Sequence, residues 1–145
     1  GQLIDRVGVR LGYAFPAGKA LEQLALQAVE RSCVIPSNVD KTNFHFSGQE
    51  NKAAALLDSG TAPEEVAYGL HRCIAKTLSK AIALAAATYG VRDVLFSGGV
   101  MSNQIIRGLI EKELSRRHLR LHFTKPCYAT DNAAGNALLG IETMT

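Results

Sequence analysis

The sequence predicts a helix-rich α/β domain built around a small pair of parallel strands. Three observations support this reading. A long segment repeats apolar residues every three or four positions. Two short apolar runs, Asp93 to Ser97 and Leu119 to Phe123, are separated by a further amphipathic stretch. With 145 residues, 47% apolar and 20% charged, the chain is long and apolar enough to bury one core.

Along the chain, Pro16 to Ser32 carries Leu21, Leu24, Ala25, Ala28 and Val29 on one stripe and predicts a helix. Pro36, Ser37 and Asn38 mark a turn within Cys33 to Asp40. Phe44 and Phe46 then alternate in Asn43 to Ser47 like a short strand. Asn51 to Ser59 reads as a helix through Ala53, Leu56 and Leu57, with Gly60 placed for a left-handed C-cap. Thr61 and Glu64 have capping-box spacing. The stripe Val66, Leu70, Cys73, Ile74, Thr77, Leu78, Ala81, Ile82 and Ala85 predicts a long core-facing helix ending near Gly90.

The strand at Asp93 to Ser97 is followed by Gly98 and Gly99. Ser102 stands where it can cap a helix with Ile105, Ile106, Leu109, Ile110 and Leu114 on its buried face. Leu119, Leu121 and Phe123 form the second strand, and Thr130 and Asp131 open a final helix running to about Leu139. Two strands joined by a helix predict a right-handed parallel crossover. Two strands cannot cover so much helical stripe, so some apolar face is expected to await another lobe or another chain.

Composition narrows the function classes. The longest apolar stretches fall far short of the roughly 20 residues that cross a bilayer, so no membrane partner is expected. Cys33, Cys73 and Cys127 are widely separated and form no CxxC motif, which fits a reducing cytoplasm. A net charge of +3 permits attraction to a polyanion without requiring it. The start at Gly1 reads as a cut rather than a natural beginning.

Several residues could carry chemistry. Gly98 and Gly99, at the carboxyl end of a strand, could let a phosphate or adenosine approach backbone amides, or could simply form a tight turn. Asp131 could hold a cation beside phosphates or serve as an N-cap. Asn103 could reach a ribose or base, or cap its own helix. Asp5, with Gly18 in the turn Phe15-Pro16-Ala17-Gly18, could grip ribose hydroxyls, or be a solvated acid beside a helix-entry turn. His118 and His122 have HxxxH spacing but straddle a helix end and a strand, where that spacing does not bring side chains together. No nucleophile is evident, because Ser97 and Ser102 lack a paired base and Cys127 lacks an activator.

The order of these segments resembles the tRNA threonylcarbamoyl transferase family, long known as O-sialoglycoprotein endopeptidases or glycoproteases, over nearly the whole chain. Asp5 to Glu22, DRVGVRLGYAFPAGKALE, is similar to the family's aspartate, helix and Tyr-Pro-Gly-Gly-Pro turn, with Ala17 replacing the first glycine and Lys19 the second proline. NFHFSGQENK resembles a Phe-Ser-Phe-Ser-Gly-Leu-Lys-Thr stretch, keeping Phe46, Ser47 and Gly48. GGVMSN and ATDNAAGNALLG match the two later motifs.

The resemblance implies an incomplete ribonuclease-H-like lobe of the actin-like ATPase superfamily, with residues 1–145 as a single domain, the C-terminal fragment of a two-lobe protein. It implies nucleotide or substrate contacts at Asp5, Gly18, Glu22, Gly98, Gly99 and Asn103, and a metal ligand at Asp131. The implied cofactors are a divalent metal (iron, zinc or magnesium) and ATP or threonylcarbamoyl adenylate, and the implied partner is the N-terminal lobe. The chain alone is then expected to be inactive. A non-catalytic nucleotide-binding or dimerising scaffold is the second reading. A metallopeptidase ranks last, since no HExxH motif is present. Arg107, Lys112, Arg116, Arg117 and Arg120 could meet tRNA phosphates, although basic residues near a helix C-terminus usually complement its dipole.

Overall fold

The structure, a computed structural model, describes residues 1–39 and 43–124. Among these residues, five helices and two strands occur in the order α1 (Gln2–Arg10), α2 (Gly18–Leu26), α3 (Ser47–Asp58), α4 (Pro63–Tyr89), β1 (Asp93–Phe96), a 3-10 turn (Gly99–Ser102), α5 (Gln104–Leu114) and β2 (Arg120–Phe123). β1 and β2 pair in parallel, with Asp93 opposite Arg120 and Phe96 opposite Phe123. The expected α/β class and the parallel pair joined by a helix are therefore present. The predicted last helix and Asp131 lie outside the described residues.

The centre is α4, a helix of 27 residues. Pro63 occupies its first turn, where a missing N–H costs nothing, and Ala62 before it is extended, as a residue preceding proline prefers to be. Gly90 ends it at φ +67°, a left-handed value that a side chain would strain. The most extensive helix contacts are those of α2 and α5 with α4. Leu21 and Ala25 from α2, Ile106 and Ile110 from α5, and Val66, Ala67 and Leu70 from α4 are fully buried in one cluster with Leu3, Ile4 and Val7 of α1. Each large aliphatic side chain buried this way contributes about 1.5–3 kcal/mol. An isolated two-stranded sheet is marginal in water. Here Phe96 stacks on Phe123 at 4.5 Å between centroids, and Arg107 from α5 covers the Phe123 ring.

Several boundaries differ from expectation. The helix predicted over Pro16 to Ser32 stops at Leu26, because the following backbone is captured by α4. The Glu65 carboxylate accepts hydrogen bonds from the amides of Glu30, Arg31 and Ser32 at 3.0–3.1 Å. These bonds hold Arg31 at φ +53° and leave Val29 90% exposed instead of on a buried stripe. No strand forms over Asn43 to Ser47. Only Asn43 makes an isolated bridge, and α3 starts at Ser47, so the Phe44 and Phe46 alternation reflects an edge-to-face ring contact at 5.5 Å.

The Thr61 and Glu64 capping box is absent too. Thr61 instead donates its amide to Leu56 O while Gly60 donates to Leu57 O, which closes α3 with the Gly60 turn that was expected. Ser102 does not cap α5 and bonds back to Gly99 O, leaving that role to Asn103.

Gly8 is a residue that the sequence did not single out. A Cβ there would overlap the Ala17 side chain, which is wholly buried, so the absence of a side chain on α1 makes room for alanine where the resembling turn has glycine. His71 is also fully buried. Its Nδ1 donates to Ala67 O at 2.7 Å, and burial lowers its pKa and so favours the neutral ring, with Nε2 left without a partner among the described residues.

Two outcomes follow. Gly8→Ala should destabilise the fold by about 1–3 kcal/mol in urea denaturation, the usual cost of overpacking, whereas Gly1→Ala, with open space around it, should change little. Hydrogen bonds from backbone amides, chiefly that of Arg31, hold the Glu65 carboxyl below its ordinary value of 4.5. A depressed carboxylate stabilises above its unfolded pKa and loses that contribution as pH falls through the folded one. The Tm gap between wild type and Glu65→Gln should therefore be full at neutral pH and close progressively as the solution is acidified below about pH 4.5.

Candidate functional site

At the end of β1 the chain enters Gly98 at φ 100°, ψ 161°, a conformation essentially restricted to glycine. Met101 N donates to Gly98 O, and the chain makes the 3-10 turn before α5. The demand for a left-handed residue is thus real at Gly98, while Gly99 is exposed and would have open space around a Cβ. A backbone without side chains is presented at the carboxyl edge of the sheet, where an anion could reach amide groups.

The turn borders a cavity of 620 Å³. Gly98 and Gly99 form one side, Gln2 and Arg6 of α1 another, and Phe46 with Ile74 an apolar wall. Arg6 crosses to Glu50 at 3.0 Å, an exposed pair of small energetic weight that still leaves guanidinium N–H groups for a ligand. A second depression of 400 Å³ contains Asp5 and Phe15 and shares Gln2 and Arg6 with the first. Asp5 and the paired glycines thus border adjoining cavities on two sides of one helix.

The other predicted residues serve the fold directly. Asp5 Oδ1 accepts from Ala17 N at 2.8 Å, tying the turn before α2 onto α1. Asn103, only 6% exposed, is the N-cap of α5 and accepts from Ile106 N at 2.9 Å. Glu22 Oε1 accepts from Gln104 N at 2.7 Å, bridging 82 residues of sequence. Two of the four unpaired amides at the start of α5 are satisfied by these side chains, so α5 offers a ligand less than a bare helix N-terminus would. Gly18 begins α2, and neither it nor Glu22 nor Asn103 lines the two cavities. Arg6 and Gln2 were missed by sequence reasoning. Their signal was helical spacing with Asp5 and Val9 on α1, a helix that periodicity alone had not picked out.

The histidine pair separates as expected. His122 Nε2 lies 3.0 Å from Asp93 Oδ1, and Arg120 binds the same carboxylate, which holds the Asp93 carboxyl well below the usual range. His118 sits at φ +53° after α5. Arg107 is also engaged, with Glu111 and the Phe123 ring. Burial pushes the Cys33 and Cys73 thiols up, away from the thiolate form a nucleophile needs. Among the described residues no group of three or more His, Cys, Asp or Glu could hold a metal, and no helix is long and apolar enough to cross a membrane.

Comparison with known proteins gives a consistent picture. The family model described as tRNA N6-adenosine threonylcarbamoyltransferase matches residues 1–138. A protein of that name from Chlorobium phaeovibrioides is 31% identical, with 96% of this chain and 45% of the relative aligned. A probable bifunctional tRNA threonylcarbamoyladenosine biosynthesis protein from Methanothermobacter thermautotrophicus is 30% identical over 97% of this chain and 26% of its own length. The chain therefore spans less than half the length of the curated relatives it matches. Among solved structures, HypF of T. kodakarensis superposes with a TM-score of 0.75 at 24% identity, covering 96% of this chain and 19% of that one, which establishes a shared fold for the segment.

Because Asn103 acts through a cap, Asn103→Ala should cost about 1 kcal/mol in chemical denaturation. Asn103→Asp, which keeps the acceptor oxygen, should recover most of it. Equal losses in the two variants would show that the cap contributes nothing.

Proposed function

Because the chain belongs to the tRNA N6-adenosine threonylcarbamoyltransferase family, we propose that it forms one wall of the nucleotide cleft in an enzyme that transfers a threonylcarbamoyl group to adenosine in tRNA. The observation that carries this reading is the meeting of α1 and the glycine turn around adjoining cavities. The exposed backbone at Gly98 and Gly99 would approach phosphate oxygens, with Arg6 as the countercharge. Asp5 spends one oxygen on Ala17 and would use the other to accept from ribose hydroxyls. Phe46 and Ile74 would shield the bound group from water. Gly18, Glu22 and Asn103 would shape this wall by fixing the turn before α2 and the start of α5, and the lobe would be ribonuclease-H-like.

A divalent metal bound at Asp131 would polarise acyl or phosphate oxygens. Asp131 lies outside the described residues. With relatives about twice as long, the reaction would need residues beyond these 145, so the chain alone would be inactive. Exposed Leu84, Tyr89 and Leu95 favour the second reading, a non-catalytic dimerising scaffold.

Isothermal titration of ATP with magnesium into this chain and into a longer form carrying the upstream half tests the first reading. We expect heat with the longer form, at least tenfold weaker affinity in its Gly98→Val variant, and little heat with the 145-residue chain. Tight binding by the short chain would refute the shared cleft.

A further inference from the structure

At the other end of β1, where α4 stops and both strands begin, lies a further cavity of 740 Å³. Its floor is a ledge of Ala83, Ala86 and Ala87 on α4, and Arg92, Arg117 and His118 stand around it. None of the residues that line it is acidic. Among the described residues, neither Arg92 nor Arg117 joins a side-chain ion pair, and the nearby carboxylate of Asp93 is already held by Arg120 and His122. Two arginines thus line one concavity with no side-chain ion partner among the described residues.

The simplest alternative is that these cations complement the C-terminal dipole of α4. That end and the end of α5, which Arg117 and His118 follow, each carry roughly half a negative charge, which leaves about one of the two positive charges unanswered. Arg31 and His118 are the two described non-glycine residues with positive φ. The strain at Arg31 is offset by the amide bonds to Glu65, whereas His118 is exposed and makes no side-chain hydrogen bond among the described residues. His118 follows the end of α5, where a left-handed residue commonly closes a helix, and this turn brings it beside Arg117.

We propose that this cavity is a phosphate-binding site that seats the sugar–phosphate backbone of RNA. The phosphate lies between the Arg92 and Arg117 guanidinium groups, each able to donate a forked pair of hydrogen bonds. His118 supplies a further ring N–H, and the alanine ledge accepts the apolar face of a ribose or base. The choice of RNA rests on the reading given under Proposed function, but the site lies at the opposite end of β1 from the glycine turn and does not depend on nucleotide binding there.

Fluorescence anisotropy with a labelled RNA stem-loop tests the proposal on the whole chain. Arg92→Ala/Arg117→Ala should weaken binding at least tenfold and flatten its salt dependence by one to two counterions. Lys76→Ala/Lys80→Ala removes the same charge from exposed α4 positions away from the cavity and should change affinity less than twofold. All four residues are exposed, and unchanged melting temperatures should confirm folding. Inorganic phosphate and AMP serve as competitors. Displacement of RNA only at millimolar levels of either supports the backbone as the ligand. No RNA binding by wild type, equal losses in both double variants, or AMP binding tighter than RNA would overturn the proposal. Failure of ATP to bind the longer form would leave this result intact and count only against the nucleotide cleft.

Discussion

Burial of α4 is the constraint from which the remaining geometry follows. Its apolar positions are spread too widely around the helix for one neighbour to cover, since Val66, Leu70, Cys73 and Ile74 are joined by Ala67, His71 and Ala75. Packing α2 and α5 on it removes that surface from water, with the two small strands completing the cluster. Once α4 is fixed, Gly90 reverses the chain into β1, and the direction of β1 determines where the glycine turn emerges. The later part of the helix has no such cover, and Leu84 and Tyr89 stay exposed.

Polar side chains then connect segments that are distant in sequence, each by accepting from backbone N–H groups. Glu65 gathers the loop after α2, Asp5 holds the turn before it, and Glu22 joins α2 to the start of α5. Such bonds are worth more for what they prevent than for what they add, because an amide left unpaired in a partly buried place costs about 1–3 kcal/mol. Three of the polar residues that the resemblance places at the nucleotide have this second occupation, with Asn103 as the third. Their positions are therefore set by folding before any ligand is present. A ligand meeting Asp5 finds a carboxylate with one oxygen already committed and its orientation fixed, which reduces the entropy lost on binding.

Elements whose own periodicity decides their structure were legible in the sequence. The α4 and α5 stripes, the two strands and the Gly60 and Gly90 stops all stand where local pattern put them, within a residue or two. Elements decided by a distant partner were not. The end of α2 depends on a carboxylate 33 to 35 residues away, and nothing in Ala28 to Ser32 reveals it. The Phe44 and Phe46 alternation has the period of a strand but the cause of a ring contact. Thr61 had the right spacing for a capping box, yet Pro63 moved the start of the helix past it. At the site, motif order identified the family and the glycine turn, while Arg6 and Gln2 became visible only when α1 was placed against that turn.

The two ends of β1 differ in how they can hold an anion, and strand direction explains the difference. At its carboxyl end the chain must turn sharply into α5, which favours glycines and leaves backbone N–H groups as the available donors. Such donors are fixed, short-ranged and suited to a small ligand enclosed on several sides. At its amino end the chain arrives from the left-handed Gly90, and β2 begins beside it after the left-handed His118, so long side chains project from two adjacent turns. Arginines on such turns are exposed, and would suit a large, solvated polyanion whose exact position can vary. If both proposals hold, a parallel pair of strands joined through one helix would separate, along the 4 residues of β1, a place for precise contact with a nucleotide from a place for looser contact with a chain of phosphates.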